Sequence, residues 1–192
     1  MGAFLSALQR HAIVASQAYP PKSQFTVDQI PDLTGRVVIV TGDYSLLQRD
    51  VGIGYETIQA LLQHNAKVYM ASRSRVKVDA AIASLKEATG KEALFLELDL
   101  SSLASVKRAA QEFLSREHEL HILFNNAGVM MPPIDQVTKD GYDLQFGTNV
   151  LGHFYFTELV MPALLAGVES SPDHHARVIT TSSAGAYLES LH

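Results

Sequence analysis

His121-Ile122-Leu123-Phe124-Asn125-Asn126-Ala127-Gly128 reads as an apolar strand that ends in two amides and a glycine. The two side-chain amides and the bare glycine backbone put hydrogen-bonding groups at the carboxyl end of that strand. Asn and Gly also favour turns, so an ordinary strand exit is the plainer alternative. What lies on either side of the stretch favours the richer reading. Upstream, Val37-Val38-Ile39-Val40 is β-branched with no alternation, the pattern of a strand buried on both faces of a parallel sheet. Residues 66–71 and 93–98 give two further strands, and Arg177 to Thr181 a fifth. Between them, helical spacing runs over about 55–63, over 76–88 with a stop at Gly90, from a Ser101 or Ser102 cap to about Glu117, and over about 142–165. Five β/α alternations predict an α/β fold, a doubly wound parallel sheet of Rossmann type in strand order 3-2-1-4-5. Ligands in such sheets sit beyond the carboxyl ends of the strands, where the order reverses between the first and fourth.

Composition agrees with a folded domain. The chain has 192 residues, 47% hydrophobic and 18% charged, with a net charge of −5 and no basic stripe, which argues against a nucleic-acid partner. No cysteine is present, so thiolate metal sites and disulfides are excluded, no metal is expected, and a reducing, cytoplasmic setting fits. Residues 1–33 read as an N-terminal extension and 34–192 as the dinucleotide-binding domain. The apolar run in residues 1–18 is broken by Gln9, Arg10 and His11, too short for a transmembrane segment. Met1-Gly2-Ala3-Phe4-Leu5-Ser6 matches a loose acylation pattern, which leaves peripheral membrane association as the weaker alternative to a docking helix before Pro20-Pro21.

Three segments together resemble the short-chain dehydrogenase/reductase family: the Asn125–Gly128 stretch, Asn149 within Phe146-Gly147-Thr148-Asn149-Val150, and Ser182-Ser183 after the fifth strand. Gly141-Tyr142-Asp143-Leu144-Gln145 and Asn149-Val150-Leu151-Gly152-His153-Phe154 bring the resemblance closest to the retinol-dehydrogenase-like, fungal-type branch. It implies an enzyme, an NADP(H)-dependent oxidoreductase of a small-molecule alcohol or ketone, in secondary metabolism, with a homodimer in a full-length form. It further implies that Asn126, Ala127 and Gly128 line the cofactor, that Asp99 meets the adenine, and that Ser183 polarises the substrate carbonyl. Asn149 would stabilise a helix bend and hold a relay water. The plainer alternatives are a helix cap for Asp99 and a merely structural role for Asn149; His153, one turn on, reads as core or surface rather than catalytic.

Two departures from the family pattern stand out. The family separates Thr-Gly from Gly-x-Gly by three residues; here nine, Asp43 to Val51, lie between Gly42 and Gly52-Ile53-Gly54. Either the extra residues loop outward and the glycines still cradle a pyrophosphate, or the turn is lost and Asp43 or Asp50 faces it. A carboxylate ~4 Å from a phosphate charge costs about 4 kcal/mol at an effective dielectric of ~20. After the second strand the chain offers Arg73, flanked by Ser72, in place of an acid; a guanidinium can grip a 2′-phosphate, so NADP(H) is expected over NAD, with a solvated surface arginine as the alternative. The second departure is that no Tyr-x-x-x-Lys follows Ser183: Tyr187 is too close and no lysine occurs after Lys139. The expectation is a C-terminally truncated sheet, incomplete after the fifth strand, that is inactive alone. A catalytically inactive nucleotide-binding or interaction protein, or a non-functional truncated product, is the alternative.

Overall fold

The computed structural model describes residues 16, 19–42, 44 and 52–183. Contacts divide the chain into two units, 31–180 and a second made of 1–30 with 181–192. In the second, a 3-10 turn, Val27–Gln29, is closed at its start by a capping box in which the Gln29 side chain accepts from the Thr26 amide at 2.7 Å.

The larger unit is a five-stranded parallel sheet: β1 (Val37–Thr41), β2 (Lys67–Ser72), β3 (Leu94–Glu97), β4 (Ile122–Asn125) and β5 (Arg177–Thr180), in spatial order β3-β2-β1-β4-β5. The expected order is borne out. Its helices are α1 (Ile53–Gln63), α2 (Arg75–Thr89), α3 (Leu103–Arg116) and a long α4 (Leu144–Ser170).

The lack of alternation in β1 has a direct cause. Val38 and Val40 pack with Ile58 and Leu61 of α1 and Val78, Ala81 and Leu85 of α2. Val37 and Ile39 pack with Val106, Ala109 and Phe113 of α3 and Phe156, Val160 and Ala163 of α4 on the other face. Both faces of β1 are therefore dry, and burying each such side chain stabilises the fold by ~1.5–3 kcal/mol. β5 differs: all four residues are exposed, with Val178 and Ile179 at 45% and 40%.

The caps follow the sequence. Gly90 sits at φ 71° and stops α2, a conformation that costs a β-carbon-bearing residue. Ser102, not Ser101, caps α3 through the amide of Ser105. The fourth helix departs from expectation. It begins at Asp143, whose carboxylate accepts from the Phe146 amide at 2.7 Å, and runs on to Ser170 past Pro162. It is also interrupted: residues Gly147–Gly152 form a π-turn, with α-helix on either side. By length and composition α4 could cross a bilayer, yet it buries His153, Phe156, Val160, Ala163, Leu164 and Gly167 against the sheet and α3.

Candidate functional site

The carboxyl ends of β1 to β4 converge on one open cleft. Gly42 follows β1; Ala71, Ser72 and Arg73 come from the end of β2; Leu98, Asp99 and Leu100 follow β3; Ala127, Gly128 and Val129 follow β4; and Thr148 comes from the π-turn. This is the place where the strand order reverses, so topology alone brings together residues spread from 42 to 148.

The β4 side is held by side chains that reach across from other elements. Thr41, the last residue of β1, accepts at its hydroxyl from the amides of Asn126 and Ala127, at 3.0 and 2.9 Å. The Asn126 side chain returns a bond to the Thr41 carbonyl at 3.0 Å. Asn149 turns both ends of its side-chain amide to one residue: Oδ1 accepts from Val129 N at 2.9 Å and Nδ2 donates to Val129 O at 2.8 Å. Its side chain therefore braces the strand exit. Gln145 adds a third clamp by accepting from the Met131 amide at 2.8 Å.

Asp99 stands at the β3 end of the cleft. Burial disfavours its charge, but hydrogen bonds from Lys139 and Ser101 outweigh that and hold its carboxyl below the usual carboxylate range. Lys139 Nζ lies 2.8 Å from one carboxylate oxygen and the Ser101 hydroxyl 2.6 Å from the other. The capping role belongs to Ser102, so Asp99 is free of that duty. Arg73, exposed on the cleft rim, makes no ion pair among the described residues. The Thr148 hydroxyl is buried on the cleft wall with no hydrogen-bond partner among the described residues, an orphan that a polar ligand could serve. On these observations the β2–β3 side of the cleft fits a dinucleotide.

The β1–α1 side is different. Asp43 and residues 45–51 lie outside the described residues, and with them the question of which way that segment turns. Tyr44 is described, and it is buried, in the core beside Val40, Tyr55 and Ile58. Its hydroxyl donates to the Val40 carbonyl at 2.5 Å, and burial pushes the phenol pKa well up. A β-carbon added at Gly54 would come within 2.7 Å of the Asn126 amide nitrogen and 3.3 Å of the Tyr44 ring, so the glycine there serves close packing of α1 against β4 and this ring. Among the described residues lining the cleft, Gly42 appears but Gly52, Ile53 and Gly54 do not. No side chain caps α1 at Gly52.

Of the site residues expected from the sequence, Gly42, Arg73, Asp99, Ala127 and Gly128 line the cleft, while Asn126 and Asn149 brace its β4 wall. Ser183 belongs to the other unit, and Tyr187 lies outside the described residues. Thr41, Tyr44 and His153 carry no distinctive spacing in the sequence: one ends a β-branched strand, one follows the first strand by three residues, and one lies inside an apolar helix.

The family profile described as short chain dehydrogenase matches residues 36–191. A short-chain dehydrogenase/reductase of Armillaria gallica is 60% identical over 176 residues, covering 92% of this chain and 54% of that protein. Retinol dehydrogenase 11 of Mus musculus is 40% identical over 161 residues, covering 83% of this chain and 47% of its own length. The solved NADP active-site complex of RhlG from Pseudomonas aeruginosa superposes with a TM-score of 0.62 at 29% identity, over 78% of this chain and 55% of that one. The chain spans about half the length of the curated relatives it matches.

Proposed function

This chain belongs to the short-chain dehydrogenase family, and from that premise we propose that its cleft binds NADP(H) in the service of alcohol–ketone interconversion. The observation that carries the reading is the junction of Arg73, Asp99 and the Ala127–Gly128 backbone on one cleft at the reversal of strand order. Arg73, with no ion-pair partner among the described residues, would take a 2′-phosphate through charge-assisted bonds. Asp99, ionised and braced by Lys139, would meet the adenine, and Ala127 and Gly128 would line the path toward the reactive ring.

A bound nicotinamide supplies hydride transfer to or from the carbinol carbon of a small alcohol or ketone. By the family resemblance, the Ser183 hydroxyl would donate to the carbonyl oxygen, and Asn149 would hold a relay water. Residues 1–192 contain no Tyr-x-x-x-Lys after Ser183, and general acid–base assistance is worth ~10²–10⁴-fold. The reading is therefore that these 192 residues bind cofactor without appreciable turnover.

Titration of the chain with NADPH and with NADH, followed by nicotinamide fluorescence, tests this beside a turnover assay on a panel of alcohols and ketones. NADPH should bind about 10-fold or more tighter than NADH, as a charge-assisted contact to one phosphate predicts. Failure to bind either nucleotide would overturn the reading of the cleft, and turnover by these residues alone would overturn the claim of inactivity.

A further inference from the structure

His153 is a buried, titratable side chain to which the reading above assigns nothing, and counting protons around it fixes its state. Its Nε2 lies 2.9 Å from the Thr41 hydroxyl and its Nδ1 lies 3.1 Å from the Asn149 carbonyl. A hydroxyl accepts two hydrogen bonds and donates one. The amides of Asn126 and Ala127 already occupy both acceptor positions of Thr41. Toward His153 the hydroxyl has only its proton to offer, so Nε2 must be bare and the ring proton must sit on Nδ1. The Asn149 carbonyl is the acceptor waiting there. The π-turn makes it so, because the backbone amide of His153 bonds to Val150 instead of to Asn149. The competing acceptor for the Thr41 proton is the Phe124 carbonyl at 3.3 Å, and its use would leave Nε2 unsatisfied inside the protein.

We propose that His153 is a positioning residue of the cofactor cleft: as a neutral ring protonated at Nδ1, it locks the end of β1, the exit of β4 and the π-turn into one arrangement. The inference rests on the cleft being a dinucleotide site. Through Thr41 the ring holds Ala127, and through the Asn149 backbone it holds the residue whose side chain fastens Val129; both Ala127 and Val129 line the cleft. The helix carries the lock one turn further: Thr157 donates to the His153 carbonyl at 2.8 Å and accepts from Asn125 Nδ2 at 3.1 Å. Burial, opposed by the bond to Asn149, holds the ring below the ordinary histidine pKa, and no charged side chain contributes to that shift.

The molecule contains its own control. His121, at the opposite end of β4, is also buried but accepts at Nδ1 from the Val37 amide at 3.0 Å, so its proton sits on Nε2, facing the Ser170 hydroxyl at 3.0 Å. Two buried histidines on either end of one strand thus hold opposite tautomers.

Nitrogen-15 NMR of the unmodified chain labelled at histidine reads these tautomers directly at neutral pH. One Nδ1–H ring assigned to His153 is expected; an Nε2–H ring or an imidazolium there would overturn the proposal, whatever the variants do. NADPH titration of His153→Phe and His153→Gln supplies the functional arm. The phenyl ring removes both bonds at similar volume and should weaken binding about 10-fold while the melt stays cooperative, the scale of leaving a buried polar group unpaired. The glutamine amide carries an acceptor and a donor at a spacing near that of the imidazole nitrogens and should restore most of the affinity. If the unmodified chain binds no nucleotide, the reading of the cleft fails; if it binds and His153→Phe binds equally well, only the positioning role fails.

Discussion

The two sides of the strand reversal solve the same problem by different means. On the β4 side, the backbone that leaves the sheet is met by three polar side chains from two elements: Thr41 from β1, and Asn149 and Gln145 from α4. On the β1–α1 side, the backbone of Gly42 and Gly54 closes around the buried ring of Tyr44. One side is set by directional bonds between elements, the other by packing around a ring whose hydroxyl is anchored on the Val40 carbonyl. Directional bonds preserve a cleft wall because each requires a particular distance and angle, whereas an apolar ring fills whatever space the backbone leaves. The described cleft lining runs along the ends of β2, β3 and β4, with Gly42 from the end of β1.

Substitutions should separate the two sides clearly. Tyr44→Ala should cost most, about 3–5 kcal/mol in a urea melt, the range for removing a buried aromatic ring from a core. A loss under about 1 kcal/mol would mean that Tyr44 is not the packing element of that turn. Asn149→Ala should cost less, about 1–3 kcal/mol, because it strands the Val129 amide and carbonyl without removing much apolar contact. It should also weaken NADPH binding, and unchanged binding would break the link between the π-turn and the cleft wall.

A third effect is a pH dependence. His153 and His121 both titrate below the ordinary value of 6.5: in each case burial is the main cause, and for His121 the Arg36 charge adds to it against Glu119 and the Val37 hydrogen bond. A depressed folded-state pKa means that the unfolded chain binds protons first as pH falls. Stability should therefore be level above pH 6.5 and decline below it until the folded-state values are passed, by up to about 1.4 kcal/mol per pH unit for each ring. Thermal melts from pH 8 to 5 would show this, and His153→Gln should flatten the slope in part. A decline of equal slope in that variant would mean that His153 is not held neutral.

Much of this was legible in the chain. The unalternating β-branched run at Val37–Val40 announced a strand buried on both faces, and the glycine at 90 announced a helix stop. The amides and glycine of residues 125–128 marked the strand end that borders the cleft. Each of these is a local statement, because propensity and periodicity act within a few residues. The interior of the long helix is a different matter: helical spacing is nearly the same through a π-turn, so periodicity does not mark Gly147–Gly152, and only the family resemblance implies a bend at Asn149, which lies within that stretch.

The sequence by itself determined the order and type of the elements, and so the sheet topology and the side on which a ligand would lie. It also determined the residue types available there, including an arginine where an acid would favour the unphosphorylated ribose. Only the tertiary structure decided how those residues are spent. Thr41 and His153 are 112 positions apart, and Thr41 and Asn126 are 85 apart. Whether a hydroxyl acts as donor or acceptor, and which ring nitrogen carries a proton, depends on every partner that meets the group once it is dry. Tyr44 likewise reads as one residue in an irregular connection until the faces of β1 and α1 close over it. Hydrogen-bond satisfaction and packing are properties of groups brought together from distant parts of the chain, and they exist only after the sheet has formed.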